Sequence, residues 1–191
     1  VSVQVWGLLW GALSAAMIVG GLAVARFGLS ANPVRMLLLV NVVLWLGTAI
    51  FPLRSSIVLL AVGMTVFLFL MPFAEASEQT VLQRVVPYVR QGRVFGFAQS
   101  VEQAASPLTA FLISPVTQFV VIPFMTHGAG AGAIGGWFGT GPDRGLALVF
   151  VVTALVGLLG ALPALASRPY RRLSAAYRTS AASADAGHSP A

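Results

Sequence analysis

Five acidic residues serve the whole 191-residue chain, and one of them, Glu102, falls inside a long apolar run. Around it Gln99, Gln103, Ser106 and Thr109 recur at spacings of three and four. At about 100° per residue these side chains share one arc of a helix, while Phe95, Phe97, Val101, Leu108 and Phe111 fall mostly elsewhere. An ionisable group about two turns inside a membrane span costs several kcal/mol unless it faces a polar interior. The arc of Gln99, Glu102, Gln103 and Ser106 is therefore the candidate path for substrate or protons. Two roles stay open for Glu102: a proton-coupling or cation-recognising group, or a structural carboxylate hydrogen-bonded to a neighbouring helix. Pro107 frees a backbone carbonyl one turn back and adds a bend.

A second group of charges lies between apolar runs. The segment Glu75 to Arg93 carries Glu75, Glu78, Arg84, Arg90 and Arg93, with an apolar stripe of Val81, Leu82, Val85 and Val86 that ends at Pro87. Such an element can lie along the membrane surface. Glu75, Glu78, Arg84 and Arg93 are candidates for a cytoplasmic gate, a charge latch that breaks and remakes; the plain alternative is basic anchoring at the membrane face. A third feature is the run of small residues Gly7, Gly11, Ala15, Ala16, Gly20 and Gly21. This spacing lets helix backbones approach in lipid, as a static packing seam or as one that slides. Trp6 and Trp10 near the end of that run fit interface anchors.

The elements that must position these residues follow from composition. Hydrophobic residues make up 58% of the chain and charged residues 8%, against roughly 25% charged in a soluble domain. A mean hydropathy of +0.89 cannot describe one water-covered globule. Five apolar runs, about 3–25, 36–52, 56–74, 94–114 and 145–166, of which only the fourth holds a charge, each approach the roughly 20 residues that a span requires. The expected fold is all-α and membrane-embedded, with a transmembrane region over 1–166 and a basic cytoplasmic tail over 167–191 that is disordered at its end. The residues between Pro115 and Met125 should form a kinked or interfacial extension, and Gly128-Ala-Gly-Ala-Gly-Ala a flexible loop.

All eleven basic residues are arginine. Alternating spans put Arg26, Arg35, Arg84, Arg90, Arg93, Arg168, Arg171, Arg172 and Arg178 on one side, and Arg54 and Arg144 on the other. That bias makes the first side cytoplasmic, with Val1 outside and the tail inside a plasma membrane. A chain that opens directly into a span, without a charged leader, reads as the C-terminal piece of something longer. Arginines set between apolar runs record orientation rather than a nucleic-acid surface. With no cysteine and two scattered histidines, the sequence offers no thiol nucleophile, no metal ligand set, no cofactor motif and no enzyme motif. The glycine run lacks the strand and the Lys-Ser/Thr that a phosphate loop needs.

Gln83-Arg-Val-Val-Pro-Tyr-Val-Arg-Gln-Gly-Arg-Val-Phe-Gly, then Gln99-Ser and Ser106-Pro-Leu, resemble the major facilitator superfamily in its macrolide-efflux and enterobactin-exporter-like branch. Trp137-Phe-Gly-Thr-Gly-Pro-Asp-Arg-Gly-Leu-Ala-Leu-Val-Phe and Ser167-Arg-Pro-Tyr-Arg-Arg-Leu look like that group's last loop, last helix and tail, so the resemblance covers nearly the whole chain. It implies a twelve-helix transporter built from two halves, of which the five spans would be helices eight to twelve. A missing N-terminal portion, the lipid bilayer, a small hydrophobic substrate and protons are then the partners. The implied activity is export of a drug-like or siderophore-like molecule, driven by inward proton flow through alternating access. Of the family's fuller Gly/Asp/Arg loop motif, Gly20, Gly21, Arg26 and Arg35 stand here without an acidic residue. The other expectation is a complete five-span protein that binds or assembles with partners and transports nothing itself.

Overall fold

The computed structural model describes residues 3–168 together with Tyr170 and Ser174. The rest of the basic tail expected over 167–191, with Arg171, Arg172 and Arg178, lies outside the described residues, as does Val1. Among the described residues all regular structure is helical: α1 (Val3–Phe27), α2 (Pro33–Ile50), α3 (Ile57–Val85), α4 (Tyr88–Val116), α5 (Ile122–Thr126), α6 (Ala129–Ala133), α7 (Gly135–Phe138) and α8 (Pro142–Ala166). A 3-10 turn over Phe51–Leu53 prolongs α2, and a π turn over Thr117–Val121 joins α4 to α5. Five helical stretches, of 25, 21, 29, 39 and 25 residues, are long and apolar enough to cross a bilayer. The chain is thus an all-α protein with five membrane-spanning candidates.

Local chemistry sets the starts. Asn32 caps α2 by accepting the Arg35 N–H at 3.1 Å, and Pro33 at the first helical position gives up no hydrogen bond there. These residues add a turn that hydropathy alone does not see, since the apolar run starts only at Met36. Ser56 caps α3 through the Leu59 N–H at 3.4 Å.

Two boundaries differ from the sequence reading by more than a turn. The third run was expected to end at Ala74, yet α3 continues through the charged residues to Val85, with Pro72 inside it. Backbone hydrogen bonding continues regardless of whether the side chains face lipid or water. The surface element expected over Glu75 to Arg93 is therefore the last third of α3, the break at Val86–Pro87 and the first turns of α4. The fourth run was expected over 94–114 with a kinked extension; α4 begins at Tyr88, passes Pro107 and Pro115, and the extension takes the form of the π turn and α5. The glycine run, expected as a flexible loop, winds into α6 and α7, with Gly130 buried against Phe124 and Met125.

Packing runs in a sequence of neighbours: α1 on α3, α3 on α2, α2 on α8, and α8 on α5. Few side chains are fully enclosed; Leu13, Val40, Leu44, Met125, Ala154 and Leu158 form the thin core. Large apolar residues such as Leu8, Leu22, Val58, Leu155 and Leu159 are exposed on the outside. A bilayer is as apolar as a core, so helices there associate by close contact rather than by burying oil from water. Gly20 provides one such contact. A Cβ at that position would stand 2.2 Å from the Phe69 carbonyl oxygen, so only glycine lets α1 approach the α3 backbone so closely.

The two ends of the bundle are defined by long-range bonds. The Arg144 guanidinium donates to the Pro52 carbonyl at 3.0 Å, bringing the α2–α3 and α7–α8 connections to one end. Asn32 Nδ2 donates to Ser174 Oγ, bringing the residue beyond α8 to the α1–α2 connection at the other end.

Candidate functional site

The polar arc of α4 is the first site to place. Gln99, Glu102, Gln103 and Ser106 are all exposed, and no residue of α4 is buried. The helix makes substantial contact only with the π turn that continues it. Residues 101 to 116 are all exposed, so among the described residues nothing covers either the polar arc or the opposite side of Phe97, Val101 and Leu108. Glu102 lies nine residues beyond Arg93, about 13 Å along the helix at 1.5 Å per residue. With Arg93 at the membrane face, as the sequence reading expects, that depth would fall inside a hydrocarbon core about 30 Å thick. The apolar side suits lipid at that depth and the carboxyl side does not. Ser100 is on the polar flank too, but its hydroxyl donates back to the Gly96 carbonyl at 2.7 Å, leaving Gln99, Glu102, Gln103 and Ser106 as the groups free to act among the described residues.

The charged group at the other end of α3 is exposed throughout: Glu75, Glu78 and Arg84 are on α3, while Arg93 is on α4. The structure thus brings three of the four onto one helix and the fourth across the tight Val86–Pro87 break. Gln91, which the sequence reading passed over, fastens that break. Its Nε2 donates to the Gln83 carbonyl at 3.0 Å and the Val86 carbonyl at 3.1 Å. These two carbonyls sit in the last turn of α3, where the helix leaves acceptors unfilled.

The glycine seam divides. Gly20 meets α3 directly, whereas Gly7, Gly11 and Gly21 have open space where a side chain would go. Trp6 and Trp10 are exposed beside the first two.

Arg144 is the functional-looking residue whose position is least like its sequence setting. Counted in the sequence among the arginines between spans, it is buried, over the Phe138 ring at 5.5 Å and bonded to the Pro52 carbonyl. A buried guanidinium needs several acceptors, and the carbonyls released by the 3-10 turn supply them. Its only sequence signal was a charge flanked by Gly139, Gly141 and Gly145; the partner is 92 positions away.

A cavity of about 480 Å³ opens between α2, α3 and α8, walled largely by aromatic and methionine side chains. Thr153 of α8 lines both this cavity and a second one bordered by Leu112, Ile113 and Val116 at the end of α4. No group of three or more His, Cys, Asp or Glu comes together among the described residues. Comparison with protein-family models, with curated proteins and with solved structures finds no match to this chain.

Proposed function

We propose that this chain is part of a secondary transporter of the major facilitator type, a proton-coupled efflux permease whose polar pathway runs along α4. The observation that carries the reading is the uncovered arc of Gln99, Glu102, Gln103 and Ser106 on a helix with no buried residue. A carboxyl group at that depth is stable only against water, substrate or another polar helix. A pathway shared with further helices provides all three in turn as it opens to either side. The long helices supply the frame: α1, α3, α2 and α8 pack in sequence and leave α4 at the margin, available to face a second bundle. In this reading the N-terminal transporter half is the partner and the plasma membrane the location. The arginine-rich end at Arg26, Arg35, Arg84, Arg90 and Arg93 faces the cytoplasm.

Glu102 then alternates between carboxylate and carboxylic acid as the pathway alternates. The substrate is a small apolar molecule taken from the membrane or cytoplasm, with Gln99, Gln103 and Ser106 offering neutral hydrogen bonds. The test is efflux of Nile red from cells that express the protein from its own gene, measured across external pH. Wild type should export faster as external pH falls, and Glu102→Gln should lose that dependence. Unchanged efflux at every pH in Glu102→Gln removes the coupling role.

A second reading rests on α1. Gly7 and Gly11 stand open where a helix could lie close, which suits a five-span protein that assembles with partner helices and moves nothing. That reading expects α4 and α1 to be covered by protein, and no water-filled path beside Glu102.

A further inference from the structure

The cavity between α2, α3 and α8 has walls of unusual character. Trp45, Phe67 and Phe150 supply aromatic faces and Met71 a flexible thioether, in a chain with 10% aromatic residues overall. Its volume of about 480 Å³ falls within the range of sites for small organic molecules, about 300–1,000 Å³. Trp45 is not free to fold into the space. Its indole packs on Gly157 of α8, where a Cβ would stand 2.3 Å from the ring. Phe150 is likewise held, tilted at 56° to Phe51 with centroids 5.8 Å apart. The aromatic walls are therefore preformed.

Polar groups at the cavity decide what fits. Asn41 lies eight residues into α2, about 12 Å along its axis at 1.5 Å per residue, near the middle of a span. One N–H of its Nδ2 donates to the Leu37 carbonyl at 3.0 Å, which leaves Oδ1 and the second N–H of this cavity-lining residue for a guest. The Thr48 hydroxyl likewise donates to the Leu44 carbonyl at 2.8 Å and can only accept from a guest. An acceptor facing an apolar space in a membrane is costly until a donor meets it. A saturated acyl chain brings no donor and gains little from aromatic and sulfur surfaces, whereas an aromatic ring gains from both.

We propose that this cavity is a binding site for a small planar aromatic molecule carrying one hydroxyl or N–H donor, which enters from the bilayer and bonds to Asn41 Oδ1. The site uses none of the residues of the α4 arc and stands or falls independently of the transport reading.

The test is equilibrium binding of radiolabelled 1-naphthol to the chain in lipid nanodiscs, with empty nanodiscs subtracted. The lipid supplies acyl chains in large excess, so a cavity that prefers them gives no saturable signal. Saturable binding is expected, with naphthalene about tenfold weaker because it lacks the donor. Asn41→Leu should weaken 1-naphthol about tenfold. Thr153→Phe fills the cavity from its exposed rim and should abolish binding, while Leu159→Phe, on the lipid side of α8, should leave it intact. Absence of saturable binding overturns the proposal, as do equal affinities for naphthol and naphthalene or full binding by Thr153→Phe. Should Thr153→Phe fail to fold, the naphthol-to-naphthalene ratio and Asn41→Leu still decide.

Discussion

Two charged side chains with similar sequence settings meet opposite fates. Glu102 is exposed in mid-helix, and Arg144 is buried at a helix start. Arg144 has found carbonyls to bond, whereas Glu102 meets no donor among the described residues. Removing the guanidinium by Arg144→Met should strand the Pro52 carbonyl and destabilise the fold by about 2–3 kcal/mol, the usual loss for a charged buried hydrogen bond. Thermal unfolding in detergent checks this, and Arg144→Lys should recover part of the loss because an ammonium keeps the charge and a donor but not the planar guanidinium's stacking over Phe138. Glu102 was legible from its neighbours in sequence, since the partners on its arc are only three and four residues away. Arg144 was not, because the residue that explains it comes from a distant turn. Sequence spacing reports local faces and is silent on long-range acceptors.

At the scale of elements, the five apolar runs and the arginines between them were enough to place the long helices. Their ends were less legible. α3 outruns its apolar stretch because Glu75, Glu78 and Arg84 are compatible with a helix emerging into water. The glycines of α1 carry the same lesson, since Gly7, Gly11 and Gly20 look alike in the sequence and only the neighbour distinguishes them. Gly20→Val should force α1 away from Phe69 and cost about 1–3 kcal/mol, the range for overpacking a tight contact. Gly7→Val and Gly11→Val should leave the stability of the isolated chain within about 0.5 kcal/mol. Equal effects at all three positions, measured by thermal unfolding, would contradict the contact seen at Gly20. The cavity between α2, α3 and α8 had no sequence signal at all. Three helices from separate parts of the chain contribute its walls, and Trp45 or Phe150 alone reads as an ordinary lipid-facing residue.

For the whole molecule, the bonds from Arg144 to Pro52 and from Asn32 to Ser174 divide the connections between two ends. The natural absence of cysteine makes single-cysteine labelling in intact cells direct. Ser55→Cys should react with an impermeant thiol reagent added outside, and Ala31→Cys only after the membrane is opened; the reverse pattern would invert the topology inferred from the arginines. The central claim is that one side of α4 meets water inside the membrane while the other meets lipid. Cysteine scanning with a charged methanethiosulfonate reagent tests it most directly, on the protein expressed from its own gene. The account predicts reaction at Gln99→Cys, Glu102→Cys, Gln103→Cys and Ser106→Cys, with slowing by excess apolar substrate, and none at Phe97→Cys, Val101→Cys or Leu108→Cys. Reaction on neither side, or equally on both, would contradict a pathway along α4.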